Sequence, residues 1–250
     1  MGTMTEIGGI DVYRAEPTAP LRGGLILIEE IWGLVPHIKA VADRFASEGY
    51  LVLAPELLGD LLGAENGQQL MEARDDPDEA RRTAVQPALR QLFTGMSDPA
   101  FAEGAVQHLR SVVDVLEAEP GIDGRIAVAG FCFGGTYSFA LAAADPRVKA
   151  AVPFYGSAPS AEDIARIACP VLALYGQQDT RLIEALPEVT EAFAAADKDF
   201  TAQVYPDTGH AFFNDTNPHA YNAADAADAW RRATAFLAEH LTAIRSTSAG

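Results

Sequence analysis

Residues 130 to 135 read Gly130-Phe131-Cys132-Phe133-Gly134-Gly135, the pattern Gly-x-nucleophile-x-Gly, between an apolar run over 125–129 and a helix-forming run over 136–144. A strand that turns directly into a helix crowds the residue at the turn, so small neighbours are needed for the backbones to approach. The turn holds Cys132 outward at the carboxyl edge of a sheet, facing helical N–H groups that favour an anion. The stretch therefore predicts a strand, a sharp turn and a helix that present a thiol for nucleophilic catalysis.

The rest of the chain alternates short apolar runs with amphipathic stretches. The apolar runs predict strands over Ile10 to Tyr13, Gly24 to Ile28, Tyr50 to Ala54, Arg125 to Gly130, Ala150 to Phe154, Val171 to Tyr175 and Phe200 to Val204. The amphipathic stretches predict helices over His37 to Glu48, Asp98 to Glu119, Cys132 to Ala144, Ile183 to Ala196 and Ala220 to Leu241. This alternation is typical of a mostly parallel sheet with helices on both faces, and ligands bind such a sheet beyond the carboxyl ends of its strands.

Length and charge restrict the class of protein. The 250 residues fit one α/β domain over 1–250, and no segment approaches the roughly 20 apolar residues of a membrane span. A formal net charge of -17 makes nucleic acid or an anionic membrane surface a poor partner. The same charge disfavours multiply anionic substrates unless local cations raise the potential at the site.

The two cysteines, Cys132 and Cys169, lie in different settings, one in a tight turn and one just before Pro170 and a strand. Two such residues do not make a disulfide framework, and Met1 to Glu6 lack a basic start and an apolar signal core. We therefore expect free thiols in a cytoplasmic protein, with Cys169 in or near the core.

Two further residues with catalytic chemistry follow predicted strands. Asp179 comes a few residues after Val171 to Tyr175, and His210 lies past Phe200 to Val204 in a turn that begins at Gly209. The chain order nucleophile, acid, base is that of α/β-hydrolases. His210 would act as general base and Asp179 would fix its tautomer, although a surface-loop His and a turn Asp are the plainer alternatives.

The first long strand ends in Glu29-Glu30-Ile31. The transition state of acyl transfer places negative charge on an oxygen, which we expect the backbone N–H groups of Ile31 and Phe133 to hold. Glu29 and Glu30 are costly if buried, so either both are solvated at the strand's end or one lies beside Cys132 and controls its protonation.

Several motifs together resemble the dienelactone hydrolase family, and the likeness extends from about Gly24 to Phe236. They are Glu30-Ile31-Trp32-Gly33, Val35-Pro36-His37-Ile38, residues 49–55, the 130–135 stretch, Asp179 and Gly209-His210-Ala211-Phe212. The resemblance implies an α/β-hydrolase fold, a Cys132, His210, Asp179 triad, and neither a metal nor an organic cofactor. It also implies that Glu30 pairs with the thiol until substrate arrives, and that the reaction is hydrolysis of an enol-lactone ring.

The substrate-binding residues depart from that family, which holds a substrate carboxylate with two arginines. Asn214 and Gln86 stand at the matching positions, although Arg81, Arg82 or Arg90 could reach the site. An Asn cannot supply the charged fork that clamps a carboxylate. With Trp32, Phe93, Phe212 and Phe213 expected around the cleft beside Asn214, the sequence predicts a less charged, more apolar ester or lactone.

Other features of the sequence allow three further interpretations. Residues 55–90, rich in Gly, Asp, Glu and Arg, predict a loop with short helical pieces that could form a lid. His210, Asp215 and His219 match no closed zinc pattern. The chain could also be a noncatalytic or redox-responsive small-molecule binding protein on the same fold, because fold alone does not establish chemistry. We expect a monomer or small homo-oligomer that acts on a small ester or lactone.

Overall fold

The computed structural model describes residues 1–62, 67–74 and 76–241. Eight strands of this part of the chain form one sheet in the order β1-β2-β4-β3-β5-β6-β7-β8. Their bounds are β1 Thr3–Ile7, β2 Ile10–Ala15, β3 Gly23–Ile28, β4 Tyr50–Pro55, β5 Ile126–Phe131, β6 Val148–Phe154, β7 Val171–Gly176 and β8 Phe200–Tyr205. β1 and β2 run antiparallel at one end, and all pairs from β4 through β8 are parallel.

Burial on both faces explains the composition of the central strands. Every residue of β3, β4, β5 and β7 is buried, as parallel strands covered by helices require. The seven predicted strands are all present within one or two residues of their expected bounds. The predicted α/β-hydrolase architecture is confirmed.

Ten helices of the described chain surround the sheet: α1 Pro36–Ser47, α2 Gly59–Leu62, α3 Gly67–Arg74, α4 Glu79–Ala84, α5 Gln86–Met96, α6 Pro99–Ala118, α7 Phe133–Ala144, α8 Ala161–Arg166, α9 Thr180–Ala195 and α10 Ala223–His240. The predicted helices match α1, α6, α7, α9 and α10. None of the described helices combines the length and hydropathy that crossing a bilayer requires.

Two elements escaped the sequence analysis. The strand Thr3–Ile7 is mostly exposed and polar, so it lacks the apolar run used to find the others. It pairs with β2 through the turn Gly8-Gly9, in which both residues have positive φ of 60° and 86°. A Gly-Gly pair between two short strand-forming runs is a sequence signal for a β-hairpin, so the strand Thr3–Ile7 could have been predicted.

The second missed element is α8, six residues long. Ser160 caps it by accepting a hydrogen bond from the backbone N–H of Asp163, the Ser-x-x-acid pattern that marks a helix start.

The helix α9, which was predicted to begin at Ile183, begins three residues earlier, directly after Asp179.

The segment predicted as a lid is largely helical. It contains α2, α3, α4 and the first residues of α5, whereas residues 63–66 and 75 lie outside the described residues. It precedes α6, which packs against α7. Through α5 and α6 this part of the chain reaches the carboxyl edge of the sheet.

Candidate active site

The turn between β5 and α7 places Cys132 in a strained conformation. Its φ of 56° and ψ of -110° lie where residues other than glycine are rare. Hydrogen bonds fix the turn on both sides: the N–H of Cys132 donates to the oxygen of Phe154 at 3.0 Å, and that of Gly134 to the oxygen of Glu29 at 3.0 Å. A Cβ at Gly130, Gly134 or Gly135 would collide with backbone, which explains why this turn needs glycine.

An imidazole and a carboxylate complete the arrangement. Nδ1 of His210 lies 2.5 Å from Oδ2 of Asp179, and the side chains are 40% and 12% exposed. Burial lowers the pKa of His210, but the hydrogen bonds to Asp179 and Cys132 outweigh it and raise the pKa from 6.5 to about 10. The imidazole therefore favours its protonated form at neutral pH.

The two expected oxyanion-hole residues lie on opposite sides of Cys132. Phe133 is the first residue of α7, whose first N–H groups have no acceptor within the helix. Ile31 follows β3 in a tight turn in which the N–H of Gly33 donates to the oxygen of Glu30 at 3.1 Å. Ile31 and Phe133 line the same cavity as Cys132 and His210, as a pair of oxyanion donors would have to.

Both glutamates at the end of β3 are buried, so the solvated interpretation is wrong. Glu29 is 0% and Glu30 is 2% exposed. Oε1 of Glu30 accepts a hydrogen bond from the Tyr155 hydroxyl at 3.1 Å, and Oε2 accepts one from the Asn214 amide at 2.6 Å. Among the described residues no hydrogen bond joins Glu30 to Cys132, so in this conformation the carboxylate is held by two neutral donors.

Glu29 points the other way. Its Oε1 accepts the N–H of Leu58 at 2.9 Å, whereas its Oε2 has no hydrogen-bond partner among the described residues. Burial raises the pKa of Glu29 well above its ordinary value, and the charge of Glu56 raises it further. Burial therefore favours the neutral form of the Glu29 carboxyl group, which lies beneath the loop that leads into α2.

A cavity of about 470 Å³ opens above Cys132. Its lining combines residues of the triad region with apolar side chains of α5, α6 and α7: Ile31, Phe93, Met96, Ala102, Val106, Cys132, Phe133, Thr136, Tyr137, Ala140, Tyr155, Ser157, Arg181 and His210. A pocket of this size accommodates a small organic molecule. One wall of the cavity comes from Phe93 and Met96, both on α5, whereas no described residue of the 55–90 segment predicted as a lid belongs to the lining.

The residues expected to bind substrate divide into two groups. Phe93 lines the cavity and is 49% exposed. Trp32, Phe212 and Asn214 are absent from its lining: Trp32 is buried beneath the guanidinium of Arg74, Phe212 is fully buried against Tyr155 and Tyr205, and Asn214 holds Glu30.

The arginines near the lid also lie away from the cavity. Arg81 pairs with Asp76, Arg82 donates to backbone oxygens of 76 and 77, and Gln86 donates to the oxygen of Arg82. Neither these residues nor Arg90 belong to the lining. No cation of the 81–90 segment therefore replaces the missing arginines in this conformation.

Two site residues were missed by the sequence analysis. Tyr155, in the turn after β6, donates to Glu30 and packs its ring 5.0 Å from that of His210. Arg181 lies in the first turn of α9, two residues after Asp179. Both follow predicted strands, so the rule that located Asp179 and His210 would also have pointed to them.

The second cysteine, Cys169, has a structural role. Cys169 is buried, and burial raises the pKa of its thiol to about 12, so it is unreactive at neutral pH. Within residues 1–62, 67–74 and 76–241, no group of three or more His, Cys, Asp or Glu side chains could hold a metal ion.

Comparison with known proteins assigns the chain to a family. A model of the dienelactone hydrolase family matches residues 10–241. A protein of Saccharolobus solfataricus named "Putative carboxymethylenebutenolidase" is 32% identical over 244 residues, which are 91% of this chain and 93% of that protein. A protein of Escherichia coli K12 with the same name is 32% identical over 219 residues, 83% of this chain and 73% of the other.

Solved structures agree with the sequence comparison. The crystal structure of a "Putative Dienelactone Hydrolase" from Klebsiella pneumoniae superposes with a TM-score of 0.79 and 28% identity, covering 96% of this chain and 98% of the other. The family model alone spans more than nine-tenths of the chain. The chain belongs to the dienelactone hydrolase family.

Proposed function

We propose that this ester or lactone hydrolase uses Cys132 as its nucleophile, with His210 as general base and Asp179 as the group that orients the imidazole. The observation that carries the proposal is that Nδ1 of His210 lies 2.5 Å from Asp179 while His210 lines the same cavity as Cys132. The interaction with Cys132 is also among the causes that raise the pKa of His210. Nucleophile, base and orienting acid in this order are the parts that covalent acyl transfer requires.

The reaction proceeds in two half-reactions. The sulfur of Cys132, whose proton has passed to His210, attacks the carbonyl carbon, and the negative charge on the carbonyl oxygen is held by the N–H groups of Ile31 and Phe133. The C–O bond of the ester breaks, and His210 gives its proton to the departing oxygen. Water then attacks the thioester, His210 takes the water proton and returns it to the sulfur, and the carboxylic acid leaves.

The chemistry of a thiol nucleophile limits the substrates. A thiolate expels an alkoxide or enolate more readily than an amine, so esters and lactones are suitable and peptides are not. Much of the cavity wall is apolar, including Phe93, Met96 and Val106. We infer that the body of the substrate is apolar, and that Asn214 and Gln86 do not contribute to its recognition.

In this proposal Glu30 controls whether the thiol of Cys132 keeps its proton. The carboxylate lies behind Tyr155, and the pKa of that buried tyrosine is raised well above its ordinary value by burial and then by the charges of Glu30 and Cys132. Tyr155 therefore lies in the field of both groups. We propose that the Glu30 carboxylate changes its hydrogen-bond partner, between the Tyr155 hydroxyl and the Cys132 thiol, when substrate enters the cavity.

Replacement of the nucleophile tests the proposal. Cys132→Ala should lower the turnover of 4-nitrophenyl acetate by at least about 1,000-fold, because the covalent route is lost and only the oxyanion donors remain. Cys169→Ala is the matched control, since it removes a buried thiol outside the cavity and should retain activity. Full activity of Cys132→Ala, with circular dichroism showing an intact fold, would refute the assignment.

A further inference from the structure

His37 is a buried titratable residue that the proposed reaction does not use. It follows Pro36 in the first turn of α1, and its side chain is 3% exposed. Nδ1 of His37 lies 3.0 Å from Oδ1 of Asp215, which comes 178 positions later in the chain. A carboxylate only accepts hydrogen bonds, so Nδ1 is the donor. Nε2 is buried and has no hydrogen-bond partner among the described residues, so the bond to Asp215 fixes the orientation of the ring.

The His37 ring also contacts residues beside the proposed nucleophile and the proposed base. Its centroid lies 6.2 Å from that of Phe131, the residue before Cys132, with the rings edge to face. It lies 6.5 Å from the ring of Phe213, in the loop that begins at His210. Phe131 and Phe213 stack on each other at 5.2 Å. His37 therefore packs against the neighbours of both groups, although it does not line the cavity.

Two side-chain hydrogen bonds join the segment of the oxyanion donor to the loop of the base. The segment 30–37 carries the proposed oxyanion donor, and the loop 210–215 carries the proposed base. One bond comes from His37 at the end of the segment, and the other comes from Asn214 to Glu30 at its start. A single bond would leave the loop free to pivot, whereas bonds at both ends of the segment fix its orientation.

The loop of the base needs this support because its backbone is strained. Ala211, directly after His210, has a positive φ of 60°, which residues other than glycine rarely adopt. The N–H of Asn214 donates to the oxygen of Ala211 at 3.1 Å and closes the turn. Such a conformation persists when the contacts around it hold it in place, and Asp215 provides one of them at the end of the turn.

We propose that His37 is a positioning residue, which through its hydrogen bond to Asp215 holds the base in register with the oxyanion donor. This inference rests on the proposed function and adds to it a residue outside the cavity. Attack on the carbonyl needs both groups in place at the same time, and a small misplacement of either lowers the rate of the chemical step. The cavity wall that binds substrate contains neither His37 nor Asp215. Loss of the bond should therefore lower kcat and leave KM nearly unchanged.

Paired replacements separate the hydrogen bond from the packing of the ring. His37→Phe keeps an aromatic ring without a donor, and Asp215→Ala removes the acceptor. Each should lower kcat for 4-nitrophenyl acetate about 10-fold and leave KM within about 2-fold. The double variant should be no slower than either single variant, because both remove the same bond. Asp215→Asn retains an acceptor oxygen and should recover most of the activity.

Asp207→Ala is the matched control, because it removes an exposed aspartate just before His210 and should retain the wild-type kcat. Alkylation of Cys132 by iodoacetamide gives a second readout that does not depend on turnover. It should slow in Asp215→Ala, because a displaced imidazole activates the thiol less, and stay unchanged in Asp207→Ala. The Asp215 side chain is 57% exposed, so its variants test the bond even if His37→Phe fails to fold.

A wild-type kcat in Asp215→Ala would overturn the proposal. A loss in folded His37→Phe that Asp215→Ala does not share would also overturn it, because packing of the ring would then be the cause. Failure of the proposed function gives a different result. Retained hydrolysis in Cys132→Ala removes the nucleophile itself, whereas lost hydrolysis there together with full activity of Asp215→Ala removes only the role of His37.

Discussion

The side-chain amide of Asn214 donates a 2.6 Å hydrogen bond to Oε2 of Glu30, although the residues lie 184 positions apart in the chain. Both are buried, and the second oxygen of Glu30 accepts from Tyr155. Asn214 itself is fixed by the N–H and hydroxyl of Thr216, which donate to its Oδ1. The loop that carries His210 is thereby connected to the end of β3.

This bond predicts a specific energetic coupling. Asn214→Ala leaves a buried carboxylate with one donor fewer, so we expect a loss of about 1–3 kcal/mol in the free energy of unfolding. In the background of Glu30→Gln, which removes the charge, the same replacement should cost clearly less. Urea denaturation of the four proteins of this double-mutant cycle measures the coupling, and strictly additive effects would contradict it.

The contact between Asp179 and His210 leads to a second prediction, which concerns the pH dependence of stability. The unfolded chain releases the His210 proton near pH 6.5, whereas the folded chain holds it to about pH 10 because the hydrogen bonds to Asp179 and Cys132 outweigh burial. The stabilisation from this group is therefore fully present below about pH 6.5 and is lost as pH rises through about 10. In Asp179→Asn the pKa of His210 should fall toward its ordinary value.

Titration followed by NMR of the imidazole Cε1–H proton measures this shift. The exposed His219 is followed in the same spectra as an internal reference. An unchanged His210 titration in Asp179→Asn would show that the carboxylate does not hold the imidazolium. The variant should also lose turnover, by as much as the roughly 10⁴-fold seen for the equivalent change in serine proteases.

Selective alkylation distinguishes the proposed enzyme from a noncatalytic binding protein. Cys132 lines the cavity beside His210, whereas burial raises the pKa of Cys169 to about 12. Iodoacetamide should therefore label Cys132 first at neutral pH, with peptide mass spectrometry giving the site. His210→Ala should slow this labelling, and an ester substrate should protect against it. Two equally inert thiols, with no esterase activity, would favour the binding protein.

The sequence was sufficient for the fold and for the residues that follow strands. Apolar runs covered on both faces identified seven strands, and the chain order of Cys132, Asp179 and His210 indicated the edge where the structure brings them together. These inferences succeed because burial and turn geometry restrict local sequence strongly.

The walls of the cavity were predicted less well. An apolar residue near the site is equally suited to the cavity wall and to the core, and periodicity does not distinguish them. Phe93 faces the cavity, but Phe212 is fully buried. Asn214 was expected to contact substrate because of its spacing from His210. In the structure its side chain instead donates to Glu30. The sequence could not show this contact because it depends on where the Glu30 side chain points in the folded protein.

The buried Glu29 carboxyl group makes stability depend on pH in a defined direction. Burial and the neighbouring Glu56 raise the pKa of Glu29, so the folded protein keeps a proton that the unfolded chain releases near pH 4.5. The folded state is therefore favoured below that pH, and its stability falls as pH rises toward the folded pKa. Glu29→Gln has no proton to release, so this part of the decline should disappear.

Urea denaturation of both proteins between pH 5 and 8 measures the effect. The free energy of unfolding of the wild type should decline relative to Glu29→Gln by up to about 1.4 kcal/mol per pH unit, the limit for one proton. Glu188→Gln, an exposed replacement on α9, should follow the wild type. Parallel pH profiles for wild type and Glu29→Gln would mean that the buried carboxyl group ionises without cost, which its burial beneath Leu58 and its unpartnered oxygen argue against.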